Sequence, residues 1–185
     1  MVLTPLHYVH AYVVHKISRR KLSLPGLIVG CAIPDIENPI LYSIGFKPPY
    51  NRLILHSLIG SLLFSWIIGL AILPLYRLFI ERFLKRKFTH KYSIFNYVFS
   101  VFISAEIHLI IDAFHHQYNP LLWPITHENI NSLILFNNWI LASIIMQTIF
   151  ALALILIIAY EIVRNELKIT NMEKLKELIF ILLVK

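Results

Sequence analysis

Residues 57–76 and 129–160 are two long runs without a single charged side chain. A membrane-spanning helix needs about 20 mostly apolar residues, and only a helix satisfies its own backbone N–H and C=O groups inside hydrocarbon. A third stretch, 93–113, is apolar until its far end. Spans over 53–76, 93–113 and 136–160 therefore predict an all-α, polytopic membrane protein. The expected fold is an antiparallel bundle with about three full spans, plus short or broken helices near the N-terminus. Composition agrees, since 58% of the 185 residues are hydrophobic, above the ~45–50% of soluble domains. No shift in composition divides the chain, so residues 1–185 read as a single membrane-embedded domain.

Polar chemistry is written into the end of the 93–113 span, as Ser104-Ala-Glu-Ile-His-Leu-Ile-Ile-Asp-Ala-Phe-His-His116. On a helix His108 and Asp112 lie one turn apart on one face, an imidazole and a carboxylate ready for a divalent metal such as zinc. His115 and His116 follow within a further turn. Ionisable groups at membrane depth are costly to bury, so they face a protein interior or a cavity and mark function. The competing reading is a cluster of interfacial histidines at a helix end.

Earlier in the chain, residues 5–18 predict a short helix with Thr4 as its cap and Pro5 at its first position. His7 and His10 share one of its faces. The histidines among the first residues also argue against a cleavable signal peptide. After the basic block Lys16, Arg19, Arg20 and Lys21, residues 22–34 contain Pro25, Gly26, Gly30 and Pro34, a pattern expected of a broken or re-entrant helix. Pro34-Asp35-Ile36-Glu37-Asn38-Pro39 would present Asp35 from a stiff turn, although Asp after Pro is also a common turn or cap residue. Lys47-Pro-Pro-Tyr50 is a loop. His56 stands at the entrance of the next span, where a lone histidine is more often interfacial than a ligand, and Ser57 and Gly60 there allow close helix approach. Tyr118 and Trp123 in loop 114–135 read as interface anchors. Residues 161–185 form a charged tail in which 173–185 could make a surface-lying amphipathic helix. The single cysteine, Cys31, excludes an internal disulfide.

Charge then orders the ends. The net charge of +7 sits in short blocks, which argues for membrane topology and lipid partners rather than nucleic acid. No Lys or Arg occurs between Tyr92 and Val163, whereas 77–91 and 164–176 are basic. The positive-inside rule places those blocks in the cytoplasm and loop 114–135 outside. His7, Asp35, His56, His108 and Asp112 then fall at or towards the outer ends of separate segments. Lys47 and Arg52 are the positive charges this arrangement puts outside. His15 and His90 lie beside basic blocks and are left out of the site.

The series Thr4-Pro5-Leu6-His7, Pro34-Asp35-Ile36-Glu37, Arg52-x-x-x-His56-Ser57 and Ser104-x-x-x-His108-x-x-x-Asp112 resembles the membrane-bound metal-dependent hydrolase family of the inner membrane. The likeness covers residues 1–125. Asn51 stands where a His often precedes the Arg, and Glu37 where a second Asp is usual, so no role is carried over to either position. The order is also similar to zinc-dependent phospholipase C, an all-helical enzyme. That likeness implies one metal on His56, His108 and Asp112, a neighbouring one on His7 and Asp112, and a further ligand from His115 or His116. It makes Asp35 a general base or bridging ligand.

The expected function is a multi-pass, membrane-bound hydrolase that uses a divalent metal, zinc by these ligands, on an ester or phosphoester of a lipid-like substrate at the outer face. Metal ligands would be His7, Asp35, His56, His108, Asp112 and His116, with Asp35 and Arg52 assisting catalysis. The alternative is a non-catalytic membrane protein that binds metal structurally or anchors a partner.

Overall fold

The computed structural model describes residues 4–88 and 92–184. His90 and Lys91 lie outside the described residues, as does the side chain of Thr4 expected to cap the first helix. Among the described residues there is no strand. A 3-10 turn at Thr4–His7 runs into α1 (Tyr8–Ile17), followed by α2 (Leu24–Ser43), α3 (Leu58–Phe83), α4 (Ile94–Ala113), α5 (Trp139–Arg164) and α6 (Met172–Val184). Four of these, α2 to α5, are long and apolar enough to cross a membrane.

The extra span is α2, and it corrects the expectation of a broken N-terminal segment. Ser23 caps it, its hydroxyl accepting from Gly26 N–H, and Pro25 falls in the first turn where no helical N–H is needed. Pro34 and Pro39 sit inside the helix without ending it. The neighbouring helices that enclose α2 explain that tolerance, because they supply packing where the proline rings remove helical bonds. Asp35 therefore projects from a continuous helix, not from a turn between prolines.

The α2–α4 contact is backbone on backbone. A Cβ built at Gly30 would lie 2.2 Å from the Val101 carbonyl oxygen, and one at Gly26 would lie 2.7 Å from that of Tyr97. Small residues one turn apart let membrane helices approach this closely. Gly60 serves a different purpose from the expected helix contact, as it makes room for the Ile54 carbonyl of its own leading loop. The buried Tyr97 hydroxyl also donates to the Gly69 carbonyl of α3 at 2.9 Å. Ser57 and Asn138 cap α3 and α5 through their side chains.

One end of the bundle is basic. There the Lys16 ammonium pairs with the buried carboxylate of Glu161 at 2.8 Å, and the Tyr92 hydroxyl donates to the Arg20 carbonyl. His15 is buried at this end, its Nδ1 at 2.8 Å from the Leu22 carbonyl. The opposite end is closed by two loops that hold each other, through Leu58 N–H to the Leu121 carbonyl at 3.0 Å. Tyr118 and Trp123 are half-buried in that cap. The tail differs from the expected surface helix: α6 buries Leu178 and Ile181, and its last carbonyls accept from the hydroxyls of Tyr8 and Tyr76.

Candidate metal centre

Close packing of α2 on α4 carries His108 to the backbone of α2. Its Nδ1–H donates to the Cys31 carbonyl at 2.7 Å, one residue beyond the tight contact at Gly30. A carbonyl can only accept, so the proton belongs on Nδ1 and the Nε2 lone pair is free. That Nε2 is buried and has no hydrogen-bond partner among the described residues. It points between two carboxylates, 3.3 Å from Asp112 Oδ2 and 3.7 Å from Asp35 Oδ1.

His56 is set up the same way from a different part of the chain. Glu37 on α2 accepts the His56 Nδ1–H at 2.9 Å and also the backbone N–H groups of Leu53, Ile54 and Leu55 at 2.9, 2.6 and 3.1 Å. One carboxylate thus fixes the loop before α3 and the imidazole it carries. His56 Nε2 is left without a hydrogen-bond partner, 4.0 Å from Asp35 Oδ1. His115 repeats the arrangement, with Nδ1–H on the Ile111 carbonyl at 2.8 Å and an unpartnered Nε2 located 3.7 Å from Asp112 Oδ1. An acceptor that holds one imidazole nitrogen and leaves the other bare is the usual preparation of a histidine for a metal.

Asp112, fully buried, is the centre of this geometry. Its Oδ2 faces His108 and accepts from Arg52 Nη1 at 2.7 Å. Its Oδ1 faces His116 Nε2 at 3.3 Å and His7 Nε2 at 3.5 Å. The His7 ring stacks on that of His108, with centroids 3.9 Å apart. Two groups result whose donor atoms lie within 4.8 Å of one another: Asp35, His56, His108 and Asp112, and Asp112, His115 and His116.

Burial keeps His7, His56, His115 and His116 neutral, which a ligand nitrogen requires. It lowers His7 to about 2 and His116 to about 3, and holds His56 and His115 below their ordinary value. The donor set could hold a metal ion, because Nε2 of His56, His108 and His115 and the oxygens Asp35 Oδ2 and Asp112 Oδ1 lie there without a hydrogen-bond partner among the described residues.

The structure brings together His7, Asp35, Arg52, His56, His108, Asp112 and His116, all of the residues singled out from the sequence. Arg52 is buried and already paired, to Asp112 and, through Nη2, to His116 Nε2 at 3.2 Å. His10 lies alongside rather than in the cluster, with its Nε2 at 3.1 Å from the Ser104 hydroxyl. Sequence reasoning missed the orienting role of Glu37, and Asn51, which approaches the Asn38 carbonyl, stays outside the cluster. It also missed the Gly26–Gly30 spacing that sets His108. The spacing was the available signal for the second; for the first, only the three-dimensional path of residues 53–55 reveals it.

No curated protein and no solved structure matches the chain. A family model does, the one describing the YdjM inner membrane proteins, over residues 5–172. With that match and four helices able to span a bilayer, the chain belongs to the YdjM inner membrane protein family and is an integral, multi-pass protein of that membrane.

Proposed function

We propose that this protein is a metal-dependent hydrolase that cleaves an ester or phosphoester of a lipid-like substrate at the outer membrane face. The observation that carries the reading is the set of buried imidazoles His56, His108 and His115. Each has one nitrogen engaged by an acceptor and the other bare beside Asp35 or Asp112. His56, His108, Asp35 and Asp112 would hold one divalent ion, and Asp112, His115 and His116, with His7 beside them, a second. Bound there, such an ion supplies a Lewis acid that polarises an ester oxygen and acidifies water.

The remaining work falls to protein groups. Asp35 has Oδ2 without a partner and Oδ1 held by the Asn38 amide at 3.2 Å, so the carboxylate is oriented and can accept a proton from an attacking water. Arg52 brings a permanent positive charge to the centre, suited to an ester oxygen that gains negative charge. Glu37 keeps His56 aimed. The placement of the cluster at one end of the spans favours chemistry at the membrane face over passage through it, since transporters put such groups near the midplane.

The test is metal content of the purified chain beside His108→Ala and Asp112→Ala, together with hydrolysis of a panel of carboxylic and phosphoric esters. The expected result is bound divalent metal in the parent, its loss in both variants, and cleavage that follows the metal. Equal metal in all three proteins, or metal without cleavage of any ester, would overturn the reading.

A further inference from the structure

Beside the cluster the molecule opens a cavity of about 220 Å³. Arg52 and His116, both part of the candidate centre, form its inner wall. The amides of Asn51 and Gln117 line its sides, and Pro48, Tyr118 and Trp139 its rim. Among the described residues no carboxylate lines it.

We propose that this cavity seats a compact phosphomonoester dianion on the Arg52 guanidinium, a site that rests on the hydrolase reading for its place beside the metal ligands. The argument starts from Arg52, only 4% exposed, whose counter-ion is Asp112. Asp112 is also the carboxylate common to both ligand groups. A cation that shares Asp112 takes up the negative charge that balances the buried Arg52, an unfavourable state unless another anion arrives. The cavity walls offer none, so the anion must come with the ligand. Charge counting gives its valence. Asp35, Glu37 and Asp112 against Arg52 leave two net negative charges at the centre, two divalent ions turn that into two positive charges, and a dianion restores neutrality. The planar guanidinium fork matches phosphate oxygens bidentately.

Size and rim define the rest of the ligand. Pockets that enclose a drug-sized ligand measure ~300–1,000 Å³, so this smaller cavity takes a head group and leaves any tail outside. Its rim is amphipathic: Trp139 is the first residue of α5, and the Tyr118 ring packs edge-on against Tyr50 with centroids 5.1 Å apart. Such rings belong at the level of lipid head groups. The shared chemistry is a terminal phosphate, carried by a lipid or by a soluble phosphomonoester.

The experiment titrates the zinc-loaded full chain in detergent with inorganic phosphate and with glycerol phosphate, and then measures binding to phosphatidylcholine vesicles with and without phosphatidic acid. Inorganic phosphate should bind, and Arg52→Gln should weaken it at least tenfold at equal metal content. Gln117→Glu, an exposed position that tolerates change, should weaken it similarly by placing a carboxylate in the cavity. Preference for phosphatidic acid vesicles, reduced by Trp139→Ala with phosphate binding intact, identifies the lipid source. Equal binding of glycerol phosphate without vesicle preference identifies the soluble one. Phosphate affinity unchanged by both Arg52→Gln and Gln117→Glu overturns the proposal, because the anion then sits on metal alone. Binding is read without turnover, so Arg52-dependent binding in a chain that cleaves no ester sinks the hydrolase reading and keeps this site. Ester cleavage with Arg52-independent binding does the reverse.

Discussion

Glu37 and His56 are 19 residues apart in the chain and meet at 2.9 Å, with the carboxylate on α2 and the imidazole in the loop that leads into α3. The same carboxylate gathers the N–H groups of Leu53, Ile54 and Leu55. Position and orientation of His56 therefore depend on one side chain that touches no candidate ion site directly.

Glu37→Gln should separate those two duties. The amide still accepts from part of the loop but presents an N–H where an acceptor is needed. Metal affinity is expected to fall about 10–100-fold, as for other groups that orient a ligating histidine through its far nitrogen. Stability should fall by about 1–3 kcal/mol, from buried N–H groups left unsatisfied. Metal titration and thermal unfolding of the same preparation check both numbers. Unchanged metal affinity would reduce Glu37 to a loop anchor.

Gly30→Ala tests the contact that positions His108. The new Cβ meets the Val101 carbonyl at 2.2 Å, so α2 and α4 must separate. An overpacked interface of this kind costs about 1–3 kcal/mol, and metal affinity should drop with it as the His108–Cys31 bond lengthens. Leu156→Ala, at a position 69% exposed on α5, should change stability by no more than about 0.5 kcal/mol. Similar unfolding temperatures for the two variants would contradict the backbone contact.

Acidity should weaken the fold through three buried histidines. Burial lowers His7, His10 and His116 to about 2, 3 and 3, against an ordinary value of 6.5 in the unfolded chain. The unfolded state thus takes up protons first. The stability these groups contribute is complete above about pH 6.5 and is lost as pH falls from there towards about 3. The metal-free chain should show a flat unfolding midpoint between about pH 7 and 8 and a falling one below about 6. Metal release on acidification follows the same sign, because protons compete for the ligand nitrogens. A midpoint that rises between about pH 7 and 5 would contradict the burial argument.

Orientation is open to direct measurement. Cys31 is buried, so an engineered cysteine at Ile125, 77% exposed in loop 114–135, is the reactive thiol. The basic blocks predict labelling from the outer side of the inner membrane by a reagent that cannot cross it. Labelling from the cytoplasmic side alone would invert the bundle and move the proposed chemistry to the other face.

The residues of the candidate site were legible in the sequence because metal chemistry restricts residue types. His108 and Asp112 declare themselves by one-turn spacing, and charge asymmetry sends His56 to the same end. What escaped was set by neighbours. Pro34 and Pro39 argue locally for a break, yet α2 stays continuous because surrounding helices enclose it. The apolar, lysine-flanked residues of α6 look like a surface helix, yet they are held by the hydroxyls of Tyr8 and Tyr76 from distant helices. Glu37 looked like a deviation at a ligand position, and its function exists only through a loop whose path no periodicity encodes.

The glycine contact between α2 and α4 has a mechanical consequence. Side chains are compliant and let helices slide or tilt when a bilayer thickens or thins, at a modest energy per ångström of mismatch. A junction made of main-chain atoms has no such give. Asp35, His108 and Asp112 all ride on this stiff pair, while α3 and α5, the spans with the smallest buried share, face the lipid and can lean to follow it. The geometry of the candidate site is thereby insulated from the thickness and lateral pressure of the surrounding lipid, so that a change of membrane composition leaves the spacing of Asp35, His108 and Asp112 as it was.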